Sequence, residues 1–381
     1  MIHYRESAML VIVLILSVGC AKPEPALVVT STTIPPIMTV IPSNTATTIP
    51  TIAANSSPTA SPTPLPPTQI TALPTMLSLQ NLAVISAETA DQVKRMGTLT
   101  GHTDRVMTLV FSRDGTYLAS SSRDNKIKLW DIWNAKEVIA FPIVEGDLNA
   151  IAFSPIENWL ASADTIWDVD SMQVIQTFER GRREPGHVAF SPDGSTLAVA
   201  IIGQPTILWD IASGQVIRTF ELQTDAPTFG IEFSPDGTLL AAGESYGTVR
   251  LWDVATGQVV TTFEYSKGHD VHDVAFSPDG RFLASGGTDN TIRVWDLASG
   301  QMVQTLWHGN GMYGVTFSPD GSLLASAVCD RTVKLWEVAS GQLLRSLPHA
   351  DEMITVAFSP DGTLLASGGY DDLIYLWGVT R

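Results

Sequence analysis

The stretch Phe276-Ser-Pro-Asp-Gly280, followed by Val294-Trp-Asp296, is one copy of a pattern that recurs along the chain. Its phenylalanine recurs at positions 111, 153, 190, 233, 276, 317 and 358, and its tryptophan at 130, 167, 209, 252, 295, 336 and 377. Successive tryptophans are 37, 42, 43, 43, 41 and 41 residues apart. A period of about 40 residues indicates stacked units that cannot bury their apolar faces alone.

Each copy predicts four β-strands joined by tight turns. In the fifth copy, Ser277-Pro-Asp-Gly280 is a turn, because proline presets the first corner and glycine accepts the left-handed conformation that closes a hairpin. The same four residues recur intact from positions 191, 234, 318 and 359. The four predicted strands of this copy are Val271–Phe276, Arg281–Ser285, Thr291–Trp295 and Met302–Leu306.

Length and charge narrow the possible functions. The chain has 381 residues, 44% of them apolar, and a formal net charge of −17. Residues 1–78 are neutral, so the repeats hold 22 − 2 = 20 basic and 39 − 2 = 37 acidic residues and carry the whole excess. An acidic surface repels a phosphate backbone, and we therefore expect no nucleic-acid partner.

Residues 1–20 are predicted to be an export signal. The apolar run from Ala8 to Val18 covers about 16 Å as a helix, well short of the roughly 30 Å of bilayer hydrocarbon. The following Leu16-Ser-Val-Gly-Cys20 resembles a bacterial lipobox, although its leucine lies one residue further from the cysteine than usual. The resemblance implies a lipoprotein-type signal peptide with lipidation at Cys20, and the alternative is an uncleaved signal-anchor. Either way, we expect an extracytoplasmic protein attached to the cell membrane.

Residues 21–78 are predicted to be a disordered linker rich in proline and threonine. Between Pro25 and Thr75 there are 11 prolines and 13 threonines, and no charged residue occurs between Glu24 and Glu88. Proline removes backbone donors and fixes φ, so this segment cannot join a sheet. We expect it to hold a folded domain, residues 79–381, away from a membrane.

The dipeptide Gly101-His102, together with Asp124 and Leu129-Trp-Asp131, resembles a WD40 repeat, and the later copies do likewise. The resemblance covers about residues 92 to 381. It implies an all-β fold, a seven-bladed propeller whose four-stranded blades surround a central channel. Propellers of this family close by strand exchange, so strand 93–99 is predicted to complete the last blade, which has no fourth strand after Trp377. We expect the propeller to be monomeric.

The resemblance also implies a buried network of His, Ser, Asp and Trp within the blades. Val199 and Ala242 replace the serine in the third and fourth blades, and the second blade lacks five residues, so these blades are predicted to be the less stable arc. Carried over by position, the network residues are His102, Ser120, Asp124 and Trp130 in the first blade; Ser285, Asp289 and Trp295 in the fifth, with His269 shifted by two residues; His308, Ser326, Asp330 and Trp336 in the sixth; and His349, Ser367, Asp371 and Trp377 in the seventh.

The sequence predicts no catalytic site, no metal site and no cofactor. The His, Ser and Asp sets resemble a triad only superficially, since they recur in several blades and include a tryptophan that a triad does not need. His269 and His272 lie three residues apart on a predicted strand, so their side chains point to opposite faces and do not share an ion easily. We therefore expect a protein that is not an enzyme.

A column of positions that the core does not explain predicts a binding face. Four residues before each repeated phenylalanine stand Met107, Asn149, Gly186, Phe229, His272, Tyr313 and Ile354, and in WD40 propellers this column faces the rim of one opening, the top. Exposed aromatic residues, Met and Arg are common anchors of protein interfaces. The predicted partner-binding residues are Met107, Phe229, Tyr313, Tyr370, Arg105 and Arg123.

Three interpretations of this column stay open. The first is a protein-protein interaction scaffold that binds a protein or peptide on its top face. The second is a propeller enzyme or small-ligand binder that uses the central channel. In the third, the column only plugs the channel mouth.

Overall fold

The computed structural model describes residues 81–142, 151–178, 185–222, 227–265 and 268–381. The predicted signal peptide, with Cys20, and the predicted linker therefore lie outside the described residues, as does Asn149. Within the described ranges, no helix is both long and apolar enough to cross a membrane.

Seven antiparallel sheets follow one another along the chain. Blade 1 contains β3 (Val106–Phe111), β4 (Tyr117–Ser122), β5 (Lys126–Asp131) and β6 (Lys136–Pro142). Blade 2 contains β7 (Ala152–Phe153), β8 (Trp159–Ala161), β9 (Thr165–Asp168) and β10 (Gln173–Thr177). Blade 3 contains β11 (Pro185–Phe190), β12 (Thr196–Ile201), β13 (Thr206–Asp210) and β14 (Gln215–Phe220). Blade 4 contains β15 (Thr228–Phe233), β16 (Leu239–Glu244), β17 (Thr248–Asp253) and β18 (Val259–Glu264).

Blade 5 contains β19 (Val271–Phe276), β20 (Phe282–Gly287), β21 (Thr291–Asp296) and β22 (Gln301–Trp307). Blade 6 contains β23 (Met312–Phe317), β24 (Leu323–Val328), β25 (Thr332–Glu337) and β26 (Leu343–Pro348). Blade 7 contains β27 (Met353–Phe358), β28 (Leu364–Gly369) and β29 (Ile374–Thr380). Two strands from the start of the described chain, β1 (Leu82–Ala83) and β2 (Lys94–Leu99), also pair with β29, and a 3-10 helix, Ala90–Gln92, lies between them. The all-β, seven-bladed propeller predicted from the sequence is confirmed.

In blades 3 to 7, the Ser-Pro-Asp-Gly turn closes the hairpin between the first and second strands through its own side chains. In blade 5, the Ser277 hydroxyl donates to Asp279 at 2.6 Å and accepts the Phe282 N–H at 2.8 Å. Gly280 has φ +69°, a conformation that glycine adopts without steric penalty. The hydrogen bond from Ser277 is the main cause that lowers the pKa of Asp279.

Neighbouring blades are joined by apolar side chains. The Trp of the third strand packs against the outer strand of the preceding blade, as Trp295 does on Phe263 with ring centroids 4.4 Å apart. Val249, Val271 and Leu283 are fully buried in the same cluster. Full burial of one such aliphatic side chain stabilises the fold by about 1.5–3 kcal/mol, so the seams between blades hold the ring together.

Blade 2 is the most reduced sheet. Its strands β8 and β9 have three and four residues, against six for the matching strands β4 and β5 of blade 1. This shortening is what the five missing residues predict, and blade 2 therefore has fewer ladder hydrogen bonds to lose.

The first and last strands meet in blade 7. β2 runs antiparallel to β29, with Lys94 opposite Gly378 and Leu99 opposite Ile374. Before β2, the side chains of Ile85 and Val93 are fully buried in the apolar cluster that joins blades 6 and 7. The amino-terminal lead-in thus supplies both the outer strand of the last blade and part of its core.

We predict that removal of residues 1–99 lowers the melting temperature by more than 10 °C or causes aggregation, because it exposes the edge of β29 and opens the seam to blade 6. Thermal unfolding followed by circular dichroism measures this. The matched control lacks only residues 1–80 and should melt within about 2 °C of the parent, since every described strand is retained. Equal melting of the two truncated chains would show that closure does not depend on β2.

Candidate functional site

The end of the propeller that carries the connections between blades and the turns between second and third strands is called the top face. The first strand of each blade begins there, and in six of the seven blades described it contains a β-bulge near its start. In blade 5, Val271 pairs with Gly287 and Asp273 with Gly286, so His272 is the extra residue. A bulge re-aims a side chain and increases local twist. Within the described part of the chain, Met107, Phe229, His272, Tyr313 and Ile354 of the predicted column lie in these bulged segments.

The re-aimed side chains form a ring ladder across three blades. The ring of His272 lies 5.0 Å from that of Phe229 and 5.1 Å from that of Tyr313. Further round the mouth, the Arg105 guanidinium lies 4.7 Å from the ring centroid of Tyr370. Aromatic and cation–π contacts of this kind are worth about 0.5–1.5 kcal/mol each.

The predicted partner-binding residues differ in their exposure. Arg123 is exposed, whereas Met107, Phe229, Tyr313 and Tyr370 are half-buried, as is Arg105. The expectation of aromatic side chains standing free in solvent is therefore wrong for these positions, because Phe229 and Tyr313 contact the ring of His272 and Tyr370 contacts Arg105. Their substitution is expected to cost some stability, beyond the roughly 0.5 kcal/mol of an ordinary surface change.

Below the ring ladder, the first strands enclose a channel of about 720 Å³. Two carboxylates line it, Glu232 on β15 and Asp273 on β19, and each accepts a backbone N–H from the next blade. The Phe276 N–H lies 2.5 Å from Glu232 Oε2, and the Val315 N–H donates to Asp273 Oδ2 at 2.9 Å. Each bond gives a partner to one N–H group on the open inner edge of a first strand, that of β19 or that of β23.

The channel shifts the pKa of its ionisable groups. Burial raises the pKa of Glu232 to about 8, against the hydrogen bond from Phe276, and the nearby Asp273 charge raises it further. Burial likewise raises the pKa of Asp273 to about 7. Burial lowers the pKa of His187 to about 4 and lowers that of His272, so both imidazoles are neutral at pH 7. Part of each carboxylate residue still faces the open channel.

Blade 1 contains a complete four-residue network. His102 Nε2 lies 2.7 Å from Ser120 Oγ, and its Nδ1 lies 2.8 Å from Asp124 Oδ2. The indole of Trp130 donates to the same serine at 2.8 Å. A buried network of this kind rigidifies the blade because each polar group has a partner.

The repeats match a known family along more than half of the chain. The family described as "WD domain, G-beta repeat" matches residues 93–131, 214–253, 257–296, 300–337 and 341–378. The chain belongs to the WD40 family. The unmatched stretch from 132 to 213 holds blade 2, which has the shortened strands, and most of blade 3, which lacks the network serine.

Three plant proteins are similar to parts of this WD40 chain. "Small ribosomal subunit protein RACK1z" of Arabidopsis thaliana is 38% identical over 87 residues, 22% of this chain and 26% of that protein. "Small ribosomal subunit protein RACK1" of Medicago sativa is 30% identical over 107 residues, 27% and 33% of the two chains. The RACK1 protein of Brassica napus is 38% identical over 87 residues. The chain thus spans about a quarter to a third of the length of these relatives.

The WD40 network is incomplete in blades 6 and 7. Ser326 accepts from Trp336 at 3.1 Å, and Ser367 is bonded to both His349 and Trp377 at 2.8 Å. The carboxylates, however, are held elsewhere: Asp330 binds Lys334 at 2.6 Å, and Asp371 accepts from Tyr375 at 2.6 Å. The sequence-based assignment of Asp330 and Asp371 to the histidine network is therefore wrong.

Blade 5 replaces the network histidine by a tyrosine that the sequence analysis missed. The Tyr265 hydroxyl lies 2.5 Å from Ser285 Oγ, which also accepts from Trp295 at 2.9 Å. Asp289 binds Arg293 at 2.8 Å, and Tyr265 takes the place on Ser285 that the shifted His269 was expected to hold. The signal was available: Tyr265 follows Phe263 by two residues, as His308 follows Leu306 and His349 follows Leu347.

Blades 3 and 4 leave their tryptophan nitrogens without this bond. The indole N–H groups of Trp209 and Trp252 have no hydrogen-bond partner among the described residues, because Val199 and Ala242 stand where the serine would be. Unpaired buried donors cost about 1–3 kcal/mol each. The lower stability of blades 2 to 4 stays a prediction, and these two unpaired donors give a physical reason for it in blades 3 and 4.

The described residues contain no group of three or more His, Cys, Asp or Glu side chains placed to hold a metal ion. The sequence analysis also missed Glu232 and Asp273 as channel residues. A comparison of equivalent positions could have found Glu232, because the matching residue in the neighbouring blades is Ala189 or Ala275.

We predict that the pH dependence of stability changes in Glu232→Gln. The folded chain holds the Glu232 proton up to about pH 8, whereas an unfolded glutamate is ionised well below that pH. The parent's stability should therefore fall as pH rises from 6.5 to 8.5, and the variant should lose less. The facing groups His187 and His272 are shared by both proteins, whereas Asp273 is coupled to Glu232, so the comparison reports on the Glu232–Asp273 pair.

Melting temperatures at pH 6.5, 7.5 and 8.5 test this, with Glu157→Gln, an exposed position, as the charge-matched control. Between pH 6.5 and 8.5, the melting temperatures of the parent and of Glu157→Gln should fall equally, and by a few degrees more than that of Glu232→Gln. Parallel curves for all three proteins would show that the Glu232 carboxyl has an ordinary pKa in the folded state.

Proposed function

We propose that this chain is a non-enzymatic protein-interaction scaffold, a membrane-anchored extracytoplasmic WD40 propeller that presents its top face to a protein or peptide. The observation that carries the proposal is a set of large side chains at the channel mouth: Phe229, His272 and Tyr313 in the bulged segments of blades 4 to 6, and the contacting pair Tyr370 and Arg105. Similarity to RACK1 proteins and membership of the WD40 family support a binding role.

The ring ladder is better suited to binding a partner than to plugging the channel mouth. The aromatic residues are half-buried, so each keeps an open edge or face at the mouth. On blade 1, Arg123 lies next to Arg105, which contacts Tyr370, and its exposed side chain supplies hydrogen-bond donors. Aromatic and arginine side chains concentrate binding energy at interfaces because they bury much area with few rotatable bonds. A plug alone would be served by aliphatic residues such as Ile354.

We predict that Phe229→Ala and Tyr313→Ala reduce recovery of the co-purifying partner about thirtyfold, since one interface anchor contributes about 2 kcal/mol. The measurement is crosslinking and affinity recovery from membranes with the tagged full chain, and melting temperature is recorded for each variant. The control is Trp133→Ala, an aromatic residue that is 47% exposed in a turn at the opposite end of blade 1.

Equal recovery by the parent and both top-face variants would place the partner elsewhere on the propeller. A melting temperature lowered by more than about 10 °C would show instead that Phe229 and Tyr313 act mainly as core residues. Loss with Trp133→Ala as well would point to the bottom face.

Anchoring at Cys20 is part of the same proposal. Its support is the short apolar run followed by Gly19-Cys20, together with a linker long enough, at roughly 150 Å when fully extended, to lift the propeller from a membrane. One acyl chain gives only marginal membrane binding, so the two-chain anchor of a lipoprotein would be needed for stable attachment.

We predict that Cys20→Ser abolishes incorporation of labelled palmitate and releases the protein from the membrane fraction. Cys329→Ser, which removes the other cysteine, should keep both label and attachment. Labelled Cys20→Ser protein, or a mature chain that begins at another residue, would rule out this anchor.

A further inference from the structure

Glu232 breaks the pattern of the channel wall. The residue directly before the repeated phenylalanine faces the channel, and in the other six blades it is small or neutral: Val110, Ala152, Ala189, Ala275, Thr316 and Ala357. A carboxylate among such residues is costly, because burial disfavours its charged form. Packing of the wall therefore does not account for Glu232.

The hydrogen bonds to the inner edge of the next blade do not account for the charge either. Glu232 and Asp273 accept backbone N–H groups of the next blade, but blade 7 does the same with a neutral residue: the Leu109 N–H donates to Thr355 Oγ1 at 3.1 Å. A hydroxyl thus performs the capping without the cost of a buried charge. Two adjacent blades nevertheless carry carboxylates.

The carboxylates also require close packing around them. Asp273 Oδ1 lies over Gly230, where a Cβ would come within 2.4 Å of it. Glu232 follows Gly230 by two residues on the same strand, so the two carboxylates share one sector of the channel, between blades 4 and 5. A larger residue at position 230 would displace Asp273.

A third group in this sector has an unused hydrogen-bonding atom. His272 Nε2 is inaccessible to solvent and has no hydrogen-bond partner within the described part of the chain, while its ring lies between those of Phe229 and Tyr313. None of the described residues that line the channel is Lys or Arg. The sector therefore combines acceptors, aromatic rings and two uncompensated carboxylates.

We propose that this sector of the channel binds an alkylammonium group, with Glu232 and Asp273 as counter-ions and the rings of Phe229 and Tyr313 beside it. An ammonium ion supplies donors that two carboxylates can accept, and aromatic rings attract it through their quadrupoles. The channel volume of about 720 Å³ lies in the usual range of small-molecule pockets. The group has two sources with this chemistry, a small free amine or the lysine side chain of a bound peptide.

This inference goes beyond the proposed scaffold function and is tested without any protein partner. Isothermal titration calorimetry of the full chain with 1,4-diaminobutane measures binding, and 1,4-butanediol is the neutral ligand of similar size. The diamine should bind and the diol should not. Glu232→Gln and Asp273→Asn should each lower the affinity for the diamine at least tenfold, whereas Glu157→Gln should leave this affinity unchanged.

Binding should also displace protons, because an ammonium ion favours the charged carboxylates. At pH 7 the observed enthalpy should therefore differ between two amine-free buffers of different ionisation enthalpy, and the difference should shrink in Glu232→Gln. A purely structural role of Glu232 would not produce this signature. Melting temperatures of the variants confirm that both remain folded, and either one alone suffices for the comparison.

A capped tripeptide with a central lysine distinguishes the two sources. Tighter binding of the peptide than of the diamine assigns the site to a partner's lysine, and the reverse order assigns it to a free amine. Equal binding of diamine and diol, or full diamine affinity in both Glu232→Gln and Asp273→Asn, overturns the proposal. Either result would leave the scaffold function to stand or fall on the top-face variants.

Discussion

The pairing of β2 with β29 is the constraint on which the rest of the propeller depends. Each apolar seam is built from two blades, so a ring of seven blades is stable only when the last seam also forms. Here the chain brings its first two strands to its last one, across more than 270 residues, and Leu82 and Leu99 of those strands are buried in the seam between blades 7 and 1. A closed ring fixes the seven first strands around one axis and thereby gives the channel a defined shape.

Two sets of bulges lie at the two edges of the blades, one in the first strands at the inner edge and one in the fourth strands at the outer edge. At the inner edge, the extra residue, such as His272 or Tyr313, points over the channel and is released from the core. At the outer edge, the extra residue is apolar and lies beside the Trp of the third strand, as Val303 does next to Trp295. Bulges at open edges interrupt the ladder and discourage pairing with other chains. The inner bulges therefore allow side-chain variation at the channel mouth at little cost to packing.

The sequence predicts the period, the turns and the strand exchange because each depends on local chemistry or on a strand with no other neighbour. It predicts less about the buried networks of His, Ser, Asp and Trp, because the Asp can hydrogen-bond either to the histidine or to another nearby side chain. The residue two positions before the Trp shares its face of the strand, and Arg293, Lys334 and Tyr375 each take the carboxylate there. In blade 1 the equivalent Lys128 is drawn to Glu137 at 2.7 Å, and only there does the Asp reach the histidine.

The channel contacts were harder to predict for a different reason. The bonds from Glu232 to Phe276 and from Asp273 to Val315 join residues 44 and 42 positions apart. They depend on the distance between the inner edges of adjacent blades, which no pattern within one repeat reveals. The degree of burial of Phe229 and Tyr313 follows from the same geometry, because strand alternation alone does not describe a bulge.

The departures from the family pattern cluster on one side of the ring. Blades 3 and 4 lack the serine of the network, and the unusual channel residues His187, Glu232 and Asp273 lie on blades 3 to 5. Blade 4 holds in addition a fully buried pair, in which Arg250 donates to both oxygens of Glu244 at 2.8 and 2.9 Å. A buried ion pair contributes little net stability, but its bidentate geometry fixes the relative position of the two strands that it joins. Blade 4, which lacks the serine of the network, thus joins two of its strands through a buried charged pair, and the same side of the ring carries the two channel carboxylates.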